Sequence, residues 1–327
     1  MLQLMLHAHP DIAIPPETRF LLETYDRREQ FGDLRERRNR RRLAKFVTRR
    51  RGKLDDLGLD RAVVRRHIVR GPATTVGDAT RAVFQAYSER FDARRWGDKR
   101  PAYIQRLDVV LRLFPDAQII HIIRDGRDCV SSLTRMPWWT GGAIAAIWTW
   151  RNAVNCGLRA RRRLPADAYT EVRYEDLIAA PEAELRRLCA FLGEAFHDGM
   201  LEPHQVADVA VPARKVWHTR TRAAVDDSAL HRWRDDLQPW ERDLFHLVAR
   251  RQLRATGYTP QPPNRLPPIP VLVRYVRYHG YREAYLRHRK VRDRVRQWRY
   301  RRPVAAERAV GAGDGMHSHD RPSGALR

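Results

Sequence analysis

The chain has 327 residues, 43% of them hydrophobic, enough to bury a full core, and its Lys and Arg outnumber Asp and Glu by 63 to 39 for a formal charge of +24. That excess points to an anionic partner, whether a phosphorylated small molecule, an acidic acceptor, nucleic acid or a membrane face, although most single arginines in such runs are solvated surface. Three cysteines without a CxxC pair exclude a zinc knuckle or redox motif and fit buried free thiols; no apolar run reaches the ~20 residues of a membrane span, and a cytoplasmic protein is expected.

Leu2, Met5 and Leu6 form an apolar helical face, predicting a helix from the N-terminus to about His9, stopped by Pro10. IAIPPET is expected to be an extended loop, because its prolines remove donors and disfavour helix. Residues 33–51 are helical in propensity and very basic, with Leu34, Leu43, Phe46 and Val47 as sparse apolar contacts. TTVGDATRAVFQAYSERF has helical spacing at Ala82, Val83, Ala86 and Tyr87; a turn-rich RRWGDKRP follows, then the helix AYIQRLDVVLRLF, closed by Pro115. In AQIIHIIRDGRD, Ile119, Ile120, Ile122 and Ile123 make a β-branched run of strand length, suited to a central parallel strand buried on both faces. It breaks at Asp125-Gly126, and DCVSSLTRM restarts as a helix. AYTEVRY is a second strand, and EDLIAAPEAELRRLCAFLG a loop and helix that stop at Gly193.

Helices alternating with buried strands predict an α/β fold with a mainly parallel sheet over residues 1–259. TPQPPNRLPPIP, with six prolines in twelve residues, then reads as a stiff linker over 260–270. Residues 271–302 form a basic, aromatic-laced helix with Val291, Val295 and Trp298 on one side. Residues 303–327 are low in apolar content and expected to be disordered; His317 and His319 there lack the further ligands a metal needs, and no metal is expected.

Ligands of open α/β sheets sit beyond the carboxyl ends of strands, where helix N-termini aim free N–H groups outward. Arg124 stands at that end of the isoleucine strand, and Ser132 lies in the first turns of the next helix. A guanidinium and a hydroxyl converging there make a phosphate clamp; the alternative is an arginine that pairs with Asp125 or Asp128 and fixes the turn.

FPDAQIIHIIRDGRDCVSSL closely resembles the 3′-phosphate-binding strand, loop and helix of sulfotransferases that use 3′-phosphoadenosine 5′-phosphosulfate (PAPS). LMLHAHPDIAIPPETRF, GDKRP, VRYEDLIAAPEAELRRLCAFLG and ALHRWRDDL with LRATGY agree in the same order, so the resemblance spans roughly residues 1–258. The pattern is most similar to the tyrosylprotein-sulfotransferase-like branch and its bacterial relatives. It implies the P-loop-NTPase-like sulfotransferase fold and sulfuryl transfer from PAPS to a hydroxyl or amine, without metal. By the same resemblance Arg124 and Ser132 hold the 3′-phosphate, Glu17 is the base and Arg19 the arginine of the E-T-R segment. Lys99 is the lysine of the N-K-D-P-like tetrad, although Arg100 replaces the usual acidic residue or Thr before Pro101. Tyr174, Thr219 and Arg232 match positions near the cofactor.

The residue types suit an in-line displacement, in which a fixed cation such as Lys99 stabilises the charge gained by the leaving phosphate and a carboxylate such as Glu17 takes the acceptor proton. Without the resemblance, Glu17 reads as a helix cap or a partner of Arg19, and Lys99 as a solvated loop lysine. In the family, a strand and a loop like P-R-S-G-T-T that cradles the 5′-phosphosulfate precede the segment that starts here at Met1. The expectation is therefore a start codon assigned too far downstream, or else a truncated and crippled product. The acceptor is open among small molecules, glycans and peptides, with Trp138 and Trp139 as pocket or core residues. A basic nucleic-acid-binding protein is the rival from another class, although no recognised nucleic-acid motif accompanies its arginine runs. The C-terminal basic helix is assigned to its own domain's surface, to an anionic membrane or to an acidic partner.

Overall fold

The computed structural model describes residues 1–49, 54–206 and 230–299. Helix α1 (Leu2–His7) buries Leu4, Met5 and Leu6 and ends ahead of Pro10. The chain then makes a two-residue strand, β1 (Ile12–Ala13), parallel to β2 (Arg95–Trp96). IAIPPET and RRWGDKRP, both read as turn or loop, thus each contribute a short strand, because their pairing lies far apart along the chain and leaves no local pattern.

Four helices follow β1: α2 (Phe20–Asp26), α3 (Arg37–Val47), α4 (Arg61–Arg70) and α5 (Val76–Ser88). They share a core in which Phe20, Tyr25, Leu43, Val64, Phe84 and Tyr87 interlock. Helix α5 starts at a capping box in which the Thr75 hydroxyl accepts from the Asp78 N–H and the Asp78 carboxylate returns the bond, satisfying two orphan donors. Beyond β2, a 3-10 turn (Pro101–Arg106) leads into α6 (Leu107–Leu113).

The second half holds the stronger strands. β3 (Ile119–Ile123) and β4 (Tyr169–Arg173) are parallel in the register Ile119 to Tyr169 through Ile123 to Arg173, joined through α7 (Gly126–Thr134) and the long α8 (Gly142–Arg163). Parallel strands with helical crossovers are as expected. The burial of β3 is not: only Ile123 is buried, and Ile122 is 39% exposed. Among the described residues β4 is the strand paired with β3, so the isoleucine run meets a neighbour along one edge instead of two.

Helices α9 (Tyr174–Ala179) and α10 (Pro181–Leu192) follow β4, and α10 stops where Gly193 takes the left-handed conformation at φ +75°. Val172, Leu177, Leu185 and Leu188 pack with Leu2, Met5 and Leu6 of α1 in a second core. A third core joins α7 and α8 to α11 (Trp233–Asp236), α12 (Pro239–Ala255) and Tyr275 of α13 (Ile269–Arg299). Helix α13 therefore begins inside the proline-rich segment and is seated on the body of the protein. Of the cysteines, all free, Cys189 is buried while Cys129 and Cys156 are half-buried, which corrects the expectation of three buried thiols.

Candidate active site

At the carboxyl end of β3 the backbone turns into α7 under tight control. Asp125 caps the helix by accepting the Arg127 N–H at 2.9 Å and pairs with the Arg127 guanidinium at 2.6 Å, both side chains being buried. The Asp125 N–H donates to Glu175 at 3.0 Å, and the other oxygen of Glu175 accepts the Tyr258 hydroxyl, so one carboxylate ties the helix start to the β4 end and to the segment after α12. Burial first, and then the Glu175 carboxylate, push the Tyr258 phenol far above its usual range.

Arg124 sits inside this frame. The Trp150 indole N–H holds its carbonyl at 3.0 Å, and its guanidinium lies 4.8 Å from the Tyr174 ring centroid and 4.0 Å from Asp128. Of the two turn-fixing partners expected for Arg124, Asp125 pairs with Arg127 and Asp128 stands at the limit of an ion pair. Asp128 is itself occupied, accepting the N–H groups of His231 (2.9 Å) and Trp233 (3.0 Å), and burial raises its carboxyl pKa. Gly126 gives the turn its close fit: a Cβ there would lie 2.4 Å from Trp150 and 2.5 Å from Phe245.

Ser132 is half-buried in the second turn of α7. Its neighbour Ser131 donates to Asp236, a carboxylate also reached by Arg135 at 3.0 Å and, at 4.0 Å, by Arg232 at the N-cap of α11. Arg232 is therefore linked through Asp236 to the α7 helix that Arg124 precedes. Thr219 lies outside the described residues.

Glu17 and Lys99 come from the two loops that follow β1 and β2, and their charged ends meet at 3.7 Å. Glu17 is thus paired with Lys99 rather than with Arg19, which is exposed at the N-cap of α2 with its carbonyl accepting from Arg100 at 3.4 Å. Beside the pair lies Asp98, whose Oδ2 accepts from the Thr18 hydroxyl at 2.9 Å and from the Tyr103 hydroxyl, while its Oδ1 is shielded from solvent. Burial raises the Asp98 carboxyl to about 6 against the hydrogen bonds of Tyr103 and Thr18, and raises the Tyr103 phenol well above its ordinary value. Asp98, the residue before Lys99, thus holds the residue after Glu17 and ties the two loops together beyond the β1–β2 pairing. Asp98, Glu175 and Asp236 were not singled out in the sequence, and Asp128 was considered only as a turn-fixing partner of Arg124; the one signal available for Asp98 was its place inside GDKRP.

A sequence model of the Sulfotransferase family matches residues 1–198. The chain is 24% identical over 277 residues to a protein-tyrosine sulfotransferase of Drosophila melanogaster, an alignment that covers 81% of this chain and 50% of that protein, so the chain spans half the length of this curated relative. It is 31% identical over 107 residues to the omega-hydroxy-beta-dihydromenaquinone-9 sulfotransferase of Mycobacterium tuberculosis, covering 29% of this chain and 28% of that protein. Among solved structures, the sulfotransferase domain from the Synechococcus PCC 7002 olefin synthase superposes with a TM-score of 0.56 at 24% identity, covering 79% of this chain and 89% of that one, which shows a shared α/β fold.

Proposed function

The chain belongs to the sulfotransferase family, and from that premise we propose that it transfers a sulfuryl group from PAPS to a hydroxyl or amine acceptor. The observation that carries this reading is the 3.7 Å approach of Glu17 to Lys99, which brings a carboxylate base and a cation together from loops distant in sequence. The nucleotide fits the residues at the other cluster. Arg124, with 22% of its side chain accessible, offers a guanidinium at a strand end beside an aromatic ring, and Ser132 offers a hydroxyl on the helix that begins there.

When bound, PAPS supplies an electrophilic sulfur and a phosphate leaving group. Glu17 takes the proton from the acceptor oxygen or nitrogen, and the Lys99 ammonium holds the negative charge that grows as the bond to phosphate breaks. Arg124, Ser132 and Arg232 orient the nucleotide, Tyr174 lies against Arg124 at its edge, and Arg19 adds a cation beside Glu17. Proteins whose names record tyrosine or hydroxylated menaquinone as acceptor are both similar to this chain, which favours a hydroxyl acceptor on a peptide or a small molecule. Trp138, 57% exposed in the loop ahead of α8, offers a ring on which such an acceptor stacks.

Titration calorimetry with 3′-phosphoadenosine 5′-phosphate is expected to show binding that Arg124→Ala weakens by about 10-fold or more, since hydrogen bonds to charged groups contribute about 1.5–3 kcal/mol. Unchanged affinity in that variant overturns the assignment.

A further inference from the structure

Helix α13 has two unlike faces. The inner one is fixed to α8: Tyr275 is buried and its hydroxyl accepts from Arg151 at 2.9 Å, the Trp148 indole donates to His279 at 3.2 Å, and the Arg282 guanidinium stacks 4.6 Å from the Trp148 ring centroid. The outer one exposes branched apolar residues, Ile269, Val273, Val276, Val291 and Val295, with Ile269 76% and Val276 65% accessible. At about 100° per residue these five fall within roughly a quarter of the helix circumference, in a stripe that also holds Arg277, Arg287 and Arg294. Arg274, Tyr281 and Tyr285 flank it on one side and Lys290 on the other. From Ile269 to Val295 the helix carries eight Arg and Lys against Glu283 and Asp293.

Three occupants make different demands on that surface. A second copy of the chain would bring two strongly cationic faces together, and nucleic acid would satisfy the charges but leave the valines against water. An anionic lipid surface meets both halves of the pattern. The acyl boundary takes the branched side chains, headgroup phosphates take the Arg and Lys ends on their flexible stems, and the two tyrosines sit at headgroup depth. No helix among the described residues is long and apolar enough to cross a membrane, so such contact is made from one side. We propose that the outward face of α13 docks this protein on an anionic membrane surface.

The test is vesicle flotation with the full chain, nuclease-treated, on phosphatidylcholine alone and on phosphatidylcholine mixed with phosphatidylglycerol. The protein is expected to float with the mixed vesicles and not with neutral ones. Val276→Asp with Val291→Asp, and separately Arg277→Gln with Lys290→Gln, are each expected to lower partitioning by about 10-fold or more, because stripe and charge both contribute. All four positions are solvent-facing, and unchanged thermal unfolding checks that the variants fold. Absence of wild-type flotation on anionic vesicles overturns the proposal, as does flotation that neither variant reduces. Salt-sensitive RNA binding, or self-association lost in the valine variant, without vesicle binding, overturns it in favour of the corresponding occupant.

Discussion

The two halves of the candidate site are built in opposite ways. Arg124 stands where a strand becomes a helix, and its surroundings are held several times over by the Asp125 cap, the Asp125–Arg127 pair, the Glu175 bridge, the Asp128 clasp and the Trp150 hydrogen bond. Glu17 and Lys99 stand on loops and are partly open to solvent; beyond the short β1–β2 pairing and the Arg100–Arg19 contact, their relative position rests on the half-buried Asp98 carboxylate. Nucleotide binding is therefore expected to tolerate single changes in its support, whereas the chemical step is exposed to the loss of one hydrogen-bond node.

The largest separation of the two halves is expected from Lys99→Ala. In single-turnover assays of the active protein it lowers the transfer rate by about 10²-fold or more, in the range of lost electrostatic stabilisation, while calorimetric affinity for the nucleotide product changes little. A parallel collapse of affinity would merge the halves into one unit. Asp98→Asn is expected to come next, lowering kcat/KM by about 10-fold through misplacement of Glu17 and Lys99 with both groups still present. It also changes the pH dependence of stability. Burial raises the Asp98 carboxyl from 3.8 to about 6, so the folded state holds this proton more tightly than the unfolded chain. Its contribution is most favourable below about pH 4 and falls as pH climbs to about 6, by at most about 3 kcal/mol at ~1.4 kcal/mol per pKa unit. Urea unfolding between those values is expected to show that slope in the wild type and lose it in the Asn variant. The smallest effect belongs to the over-determined half: Trp150→Phe removes the bond to the Arg124 carbonyl, contributes about 1 kcal/mol, and is expected to weaken nucleotide binding only about 5-fold with the transfer rate intact.

What the sequence disclosed follows the same division. The isoleucine run of β3, the break at Asp125-Gly126 and the Gly193 stop are written in short local patterns, and the structure has each of them. Helix α4 was not anticipated, because Arg61, Arg65, Arg66 and Arg70 surround the two buried positions, Val64 and Ile68, that define its inner face. β1 and β2 were hidden for another reason, as two-residue strands exist only through each other. Among site residues, Arg124 was reached from its place at a strand end and Glu17 and Lys99 through family resemblance, whereas Asp98, Asp128 and Glu175 draw their importance from partners remote in sequence, the Thr18 hydroxyl for Asp98 and backbone N–H groups for the other two, which no spacing rule encodes.

The indole of Trp150 is at once the floor beneath Gly126 and the tether of the Arg124 carbonyl. One ring thus works as a spacer of fixed thickness that sets how high the strand end rides above the packed interior. A single methyl added at residue 126 would lift that end away from its gauge, so the reach of a cationic side chain two positions earlier is governed by a place where no side chain is tolerated.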